Sequence, residues 1–310
     1  MESLNRMAIE LVDEAIDFAD VLGTGAYELG NEATVLDFGV DFDGGVEAGI
    51  LLTEIQTGGL ATVQSRMGEV AGAPMRYVEL STDHPDLALL CSQKAGWELS
   101  VQDFEGLGSG PARALVGTED VFHRVGYHDA FDLTVLTIES DALPGEAVAE
   151  QVAELAEVNE SSVFLVGFRT ASIAGSVSIA ARAAELAAFR LTELGYDPTD
   201  IVSASGTAPV APIAASEEKA MARTNDALAY GGEVQLTVRE DFDRFDEVPS
   251  VAAEQYGEPF ADIYDTIEWD FHELDEGVFA PAKVTIDVIG GPTYVHGETN
   301  EELLAESFEL

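Results

Sequence analysis

Positive charge is scarce in this 310-residue chain. Lysine and arginine together number 14, against 59 aspartates and glutamates, so the formal net charge at pH 7 is −45. A chain this negative is repelled by the phosphates of nucleic acids and by anionic lipid headgroups. The composition therefore argues against a nucleic-acid-binding protein and against a protein recruited to an anionic membrane surface.

Cysteine and long apolar runs are scarce as well. Cys91 is the single cysteine of the sequence, which excludes an intrachain disulfide and a CxxC metal site. The uncharged run at residues 201–216 is interrupted by glycine and proline and is too short to span a membrane. The N-terminal "MESLNRMAIELVDE" is an acidic amphipathic stretch and does not resemble a signal peptide. We expect a cytoplasmic protein.

Carboxylates, in contrast, are abundant along the whole chain. At low salt such a charge weakens the compact state, whereas at molar salt the Debye length is about 3 Å and the repulsion is screened. The hydrophobic share of 46% is that of a folded protein. We interpret the composition as that of a halophilic soluble protein. The alternative, an acidic interaction module that mimics nucleic acid, would concentrate its charge in one block.

Alternating strand and helix patterns predict an α/β fold. "LTVLTIES" and "SVFLVGF" are short apolar runs separated by the helical pattern "PGEAVAEQVAELAEV", which predicts a βαβ unit with parallel strands. The stretch "TASIAGSVSIAARAAE", residues 170–185, follows the second run and predicts a turn that becomes a helix. "RYVELSTDHPDLALLCSQKAGWELSV" predicts strand, helix and strand, and "APAKVTIDVI … TYVHG" predicts a C-terminal hairpin.

Several of the scarce cations lie in tracts of small neutral residues. Arg113 occurs in "GSGPARA", Arg182 in "SIAARAAE", Arg223 in "ARTND" and Lys283 in "APAK". Any one of them can simply pair with a nearby carboxylate. Four such tracts together, with backbone amides in Gly/Ser turns, favour a cleft that receives an anionic group.

Arg182 and Glu185 are three positions apart, so a helix places both side chains on one face within pairing distance. An exposed pair of this kind is worth only about 0.3–0.5 kcal/mol and needs no function. The twelve uncharged residues that precede Arg182 favour a pair that is held away from solvent. The residues by themselves leave both interpretations open.

Longer strings resemble one known family. They are "STDHPDLALLCSQKAGWELSV", "GLGSGPARALV", "RTASIAGSVSIAARAAE", "ASGTAPVAPIA" and "ARTNDALAYGGEVQLTV". With these strings in order, the chain resembles the archaeal methenyltetrahydromethanopterin cyclohydrolases over nearly its whole length, and it departs from them in its acid-rich, lysine-poor composition. The resemblance implies hydrolysis of a methenyl bridge to a formyl group on a reduced pterin, without metal or redox cofactor. It also implies two α/β lobes with an intervening substrate cleft, and a homotrimer.

The resemblance further implies catalytic residues. Arg182 and Glu185 match the family's catalytic candidates: Glu185 would activate water, and Arg182 would hold its carboxylate ionised and oriented. As substrate-binding candidates we add Lys94, Ser109, Gly110, Arg113, Glu139, Gly206, Thr207 and Arg223. Glu139 ends a predicted parallel strand, an edge that commonly lines a site, whereas Lys94 can equally be a cation that complements a helix C-terminus.

We expect residues 1–90 and approximately 225–310 to form one lobe, and residues 91–224, which carry Arg182 and Glu185, to form the other.

Two alternatives to the implied function stay open. One is the same reaction on methenyltetrahydrofolate, because the sequence does not reveal the pterin's tail. The other is a non-catalytic carrier of a reduced pterin, which would need a cleft but not Glu185. The physiological direction of this reversible reaction is open as well.

Overall fold

The computed structural model describes residues 3–267, 269 and 274–310. The chain divides into two compact units by its contacts. The described residues of Met1–Thr62 and Asp86–Ser178 form unit 1, and those of Val63–Pro85 and Ile179–Leu310 form unit 2. Each unit contains helices and a six-stranded sheet, which confirms the predicted α/β class.

Strands and helices are interspersed along the whole chain. The strands are β1 (Gly25–Glu28), β2 (Thr34–Asp37), β3 (Thr62–Val70), β4 (Ala73–Thr82), β5 (Trp97–Val101), β6 (Phe104–Ser109), β7 (Thr134–Glu139), β8 (Val163–Phe168), β9 (Ile201–Pro209), β10 (Glu233–Val238), β11 (Lys283–Val288) and β12 (Thr293–Gly297). The α-helices are α1 (Leu4–Asp17), α2 (Ala19–Leu22), α3 (Val46–Gln56), α4 (Ala112–Val116), α5 (Asp120–Val125), α6 (Glu146–Ala156), α7 (Ile173–Ala180), α8 (Ala183–Glu193), α9 (Glu217–Gly231), α10 (Phe260–Thr266) and α11 (Glu301–Phe308). Asp86–Gln93 is π-helical, and 3₁₀ turns occur at Glu160–Ser162, Pro198–Asp200, Phe245–Glu247, Ser250–Ala252 and Glu276–Phe279.

The sheet of unit 1 has the order β1-β2-β8-β7-β6-β5. Its centre is parallel, because β8 pairs in parallel with both β2 and β7, and the βαβ unit predicted from β7, α6 and β8 is confirmed. Alternate residues of these strands point to opposite faces: one set packs with α1 and α3, the other with α6. Coverage of both faces explains why nearly every residue of β7 and β8 is buried.

The sheet of unit 2 has the order β12-β11-β10-β9-β4-β3. β10 and β11 are parallel, whereas β9 pairs antiparallel with both β10 and β4. β11 and β12 form the predicted hairpin. Helix α8 contacts β9 and β10, and helices α9, α10 and α11 contribute to an apolar cluster that contains Tyr230, Phe260, Tyr264 and Leu304.

These pairings explain why the two units differ from the lobes expected from the sequence. β4 and β5 are the predicted strands on either side of the Asp86–Gln93 helix, but β4 pairs with β9 in unit 2 and β5 pairs with β6 in unit 1. The division therefore falls at Thr62, Pro85 and Ser178, and not near residues 90 and 225. In the described part of the chain, no helix has the length and apolar character needed to cross a membrane.

Candidate active site

Arg182 and Glu185 lie at the beginning of α8. The helix predicted for residues 170–185 is interrupted, because α7 ends at Ala180 and α8 begins at Ala183. Arg182 is the residue that precedes α8, and its Nε and Nη2 atoms both lie 3.0 Å from Oε2 of Glu185. Glu185 is only 1% exposed. The pair is therefore a buried ion pair and not the exposed surface pair that the same spacing permits.

Glu185 lies in the first turn of α8. The first turn of a helix has backbone N–H groups without intrahelical acceptors, and the helix dipole is positive there. Arg182 supplies a full positive charge to the same carboxylate. A buried carboxylate without such a partner would be strongly destabilising. The two contacts with Arg182 also hold the Glu185 carboxylate in one orientation, as a general base requires.

Gly206 of β9 brings the sheet close to this turn. A Cβ atom at Gly206 would lie 2.7 Å from the backbone nitrogen of Ala184 and 3.0 Å from its Cβ, which is closer than a side chain tolerates. The absence of a side chain at Gly206 thus lets β9 pack against Ala184, one of the two residues between Arg182 and Glu185. The neighbouring Thr207 has its Oγ1 atom 3.4 Å from Nη2 of Arg66.

Arg113 is completely buried in unit 1 and bound to protein acceptors. Its Nε and Nη2 atoms donate to both carboxylate oxygens of Glu119, at 2.8 and 2.7 Å, and its guanidinium also donates to the carbonyls of Ser92 and Leu90. Lys94 Nζ lies 3.5 Å from Oε2 of the same glutamate. Burial opposes ionisation of Glu119, but the bonds and charge of Arg113 and the charge of Lys94 outweigh it and hold its pKa below the usual value.

This arrangement changes the interpretation of Arg113. The Arg113 guanidinium stabilises the end of the π-helical segment, because it donates hydrogen bonds to the carbonyls of Leu90 and Ser92. Four of its five N–H groups are thereby used within the protein. Most donors of Arg113 are thus bound within unit 1. Lys94 lies at the edge of the same cluster, and its Nζ atom is 3.5 Å from both Oε2 of Glu119 and the carbonyl oxygen of Ala95.

Ser109 and Gly110 belong to the neighbourhood of this cluster. The Ser109 hydroxyl lies 2.8 Å from that of Thr137. Gly110 has a φ of +105°, a conformation that favours glycine, and its N–H donates to the carbonyl of Ser92. The side chain of Ser109 and the amide of Gly110 therefore have protein partners.

Cys91, also in the π-helical segment, is fully buried. Burial raises the pKa of its thiol to about 12. The thiolate is the nucleophilic form of cysteine, so burial and the raised pKa both disfavour nucleophilic chemistry at Cys91.

Glu139 ends β7, as the sequence predicted. Its Oε1 atom accepts a hydrogen bond from the hydroxyl of Thr170, which lies just beyond the end of β8. The two side chains meet at the carboxyl edge of the parallel strands, where ligands commonly bind in α/β sheets.

Asp37 is a residue at the same edge that the sequence patterns did not single out. It ends β2 and is completely buried. Its Oδ1 atom accepts from the amides of Gly39 and Val40, at 2.9 and 2.7 Å, and its Oδ2 atom accepts from those of Asp41 and Phe42, at 2.8 and 3.2 Å. One carboxylate therefore organises the loop between β2 and α3. The Asp and Gly residues of "DFGVDFDGG" were the available signal for such a turn.

Arg223 lies apart from Arg182 in the sequence and fastens the C-terminal helix. Its Nε atom donates to the carbonyl of Ser307, and its Nη2 atom lies 2.9 Å from a carboxylate oxygen of Glu309. Lys283 likewise has a carboxylate partner, Glu233, at 3.6 Å. For both residues, pairing within unit 2 explains the position without a substrate.

Asp226, one turn after Arg223, is buried beside the same helix. Its carboxylate accepts from the amide of Phe260 at 2.9 Å and from the hydroxyl of Ser307 at 2.6 Å. Burial raises its pKa from the ordinary 3.8 to about 6, even though both hydrogen bonds act in the opposite direction. The charged form of Asp226 is thus disfavoured in the folded state.

Replacing Asp226 by asparagine is expected to stabilise the protein at pH 8. A folded-state pKa of about 6 makes the wild type lose stability as pH rises from about 4 through 6, and that loss amounts to about 3 kcal/mol. Asparagine carries no charge, can accept from Phe260 and can donate to Ser307. Urea unfolding in molar KCl should show the largest gain above about pH 7 and a vanishing gain near pH 4. A gain that does not change with pH would contradict the assignment.

The structure therefore brings together only part of the predicted set. In unit 2, Arg182, Glu185 and Gly206 meet at the start of α8, with Thr207 next along β9. In unit 1, Lys94, Arg113 and Gly110 surround the end of the π-helical segment, and Ser109 lies beside them. Two candidates belong to neither group: Glu139 lies at the carboxyl edge of β7, and Arg223 lies on α9.

Comparison with known proteins gives a consistent result. The family model described as "Cyclohydrolase (MCH)" matches residues 3–308. A methenyltetrahydromethanopterin cyclohydrolase from Halobacterium salinarum is 59% identical over 310 residues, which is the full length of both chains. Proteins of the same name from Methanosphaerula palustris and Methanothermobacter marburgensis are each 40% identical, again over the full length of both chains.

Proposed function

The chain belongs to the cyclohydrolase (MCH) family, and from this membership we propose that it hydrolyses the 5,10-methenyl bridge of methenyltetrahydromethanopterin to the 5-formyl form. It is an enzyme that acts on a C–N bond. The observation that carries the proposed mechanism is the buried pair of Arg182 and Glu185 at the start of α8.

In the proposed reaction, Glu185 removes a proton from water while the water oxygen bonds to the bridge carbon. The bridge is an amidinium-like cation and is already electrophilic. Glu185 then returns the proton to the departing nitrogen as its bond to the carbon breaks, and the second proton of the water is released when the formyl C=O forms. The products are a neutral formyl pterin and one proton. A general base contributes about 10²–10⁴-fold to such a step.

Arg182 has a different role in this mechanism. Its guanidinium holds Oε2 of Glu185, so the carboxylate keeps one orientation. It also compensates the buried charge when the proton leaves Glu185. Because the substrate already carries a positive charge, the proposed reaction needs neither a metal ion nor a redox cofactor.

Several finer attributes belong to the same proposal. We place Lys94 and Glu139 among the substrate-binding residues, with Gly206 and Thr207 beside the catalytic pair. The acid-rich composition supports a protein that works in a salt-rich cytoplasm. The homotrimer is proposed from the resemblance of the sequence to its family.

The substrate is tested by assaying the protein in molar KCl with methenyltetrahydromethanopterin and methenyltetrahydrofolate in parallel. Loss of the methenyl chromophore reports the reaction. We expect turnover of methenyltetrahydromethanopterin with the higher kcat/KM. A higher kcat/KM for the folate would replace the proposed substrate but keep the reaction, and binding without turnover of either compound would favour a pterin carrier.

A further inference from the structure

Thr170 and Glu139 form a hydrogen-bonded pair at the carboxyl edge of the parallel strands of unit 1. Glu139 is the last residue of β7 and is paired with Phe168, the last residue of β8. Thr170 follows two positions later and is 3% exposed. Its hydroxyl donates to Oε1 of Glu139, whose side chain is only half-buried. One carboxylate oxygen is thus held by a buried donor.

The backbone that carries Thr170 is closely packed. Ser172 donates its hydroxyl to the carbonyl of Arg169 at 2.7 Å and accepts from the amide of Gly175 at 2.9 Å. A Cβ atom at Gly175 would lie only 1.9 Å from the carbonyl oxygen of Arg169, so the start of α7 rests directly on this turn. The β-branched side chain of threonine also restricts χ1. The Thr170 hydroxyl is therefore held in position without a bound ligand.

We propose that Thr170 is a positioning residue that orients the Glu139 carboxylate for binding of the substrate. This inference rests on the proposed function. Glu139 is a substrate-binding residue in that function, so its carboxylate stabilises the bound substrate and the transition state to a similar degree. Misorienting that carboxylate raises KM, whereas kcat, which depends on Glu185, changes little.

The test replaces Thr170 by valine, which keeps the shape of the side chain and removes the hydroxyl. A hydrogen bond to a charged group is a strong one, and we expect KM for methenyltetrahydromethanopterin to rise about tenfold with kcat within about threefold of wild type. Thr170→Ser should restore KM, because it restores the donor. Thr53→Val is the matched control: Thr53 is buried in the same unit, and its hydroxyl donates to the carbonyl of Gly49.

A double-mutant cycle with Glu139→Gln separates positioning from a general loss of packing. If Thr170 acts through Glu139, its replacement should add little to KM in a protein that already carries Glu139→Gln. Additive effects in the cycle, an unchanged KM in Thr170→Val, or an equal rise in Thr53→Val would each overturn the inference while leaving the proposed function intact. Absence of turnover by the wild type would overturn both.

Discussion

Replacing Glu185 by glutamine is expected to lower kcat by about 10²–10⁴-fold, the contribution of a general base. Glutamine has nearly the same shape and can still accept a hydrogen bond from Arg182, but it cannot take a proton from water. Because we assign pterin binding to other residues, we expect KM to change little. The measurement is steady-state hydrolysis of methenyltetrahydromethanopterin in molar KCl, with circular dichroism to confirm the fold.

The chain contains a matched control for this substitution. Arg244 and Glu247 have the same i,i+3 spacing, and their closest contact is 2.7 Å. Both side chains are 43% exposed, whereas those of Arg182 and Glu185 are 12% and 2% exposed. Glu247→Gln removes the same charge from an exposed pair and should leave kcat unchanged. Equal kcat values in Glu185→Gln and the wild type would contradict the proposed base.

Replacing Asp37 by asparagine is expected to destabilise unit 1. The asparagine side chain offers one acceptor oxygen, so two of the four amides that Asp37 now binds would face an NH₂ group instead. Each donor left without an acceptor costs about 1–3 kcal/mol. Because most of these amides are only partly buried, we expect a loss of about 2–4 kcal/mol in the free energy of unfolding.

Urea unfolding in molar KCl measures this loss. Asp43→Asn is the control, since Asp43 lies in the same loop, loses the same charge and is exposed. We expect the control to unfold within about 0.5 kcal/mol of the wild type. If Asp37→Asn were as stable as Asp43→Asn, the four amides would not depend on the carboxylate.

The regular elements with a local signature could be predicted from the sequence. The β7–α6–β8 unit is an example, because its apolar runs and helical pattern arise within one contiguous stretch. β9 is the opposite case. Its small and polar residues, with glycine and proline, show no strand pattern, yet it pairs with β10 and β4 along its length. Main-chain hydrogen bonds from distant strands make it a strand, and a local pattern does not contain them.

The site residues divide in the same way. Sequence patterns and resemblance pointed to Arg182, Glu185 and Glu139, and also to Arg113 and Arg223, several of whose donors are bound to protein acceptors. Those acceptors come from other elements, so residue type and local composition do not distinguish a ligand-binding arginine from a structural one. A buried aspartate that organises a turn, like the one that ends β2, is missed for a related reason, because such a turn has only a weak sequence signal.

The sequence by itself determined the acidic character of this protein, its α/β class, its family and the i,i+3 spacing of Arg182 and Glu185. The tertiary structure decided that this pair is buried while Arg244 and Glu247, with identical spacing, are exposed. Spacing along a helix fixes only how close two side chains can come. Exclusion of water depends on what packs over them, and for Glu185 that includes β9, whose Gly206 lies against the first turn of α8.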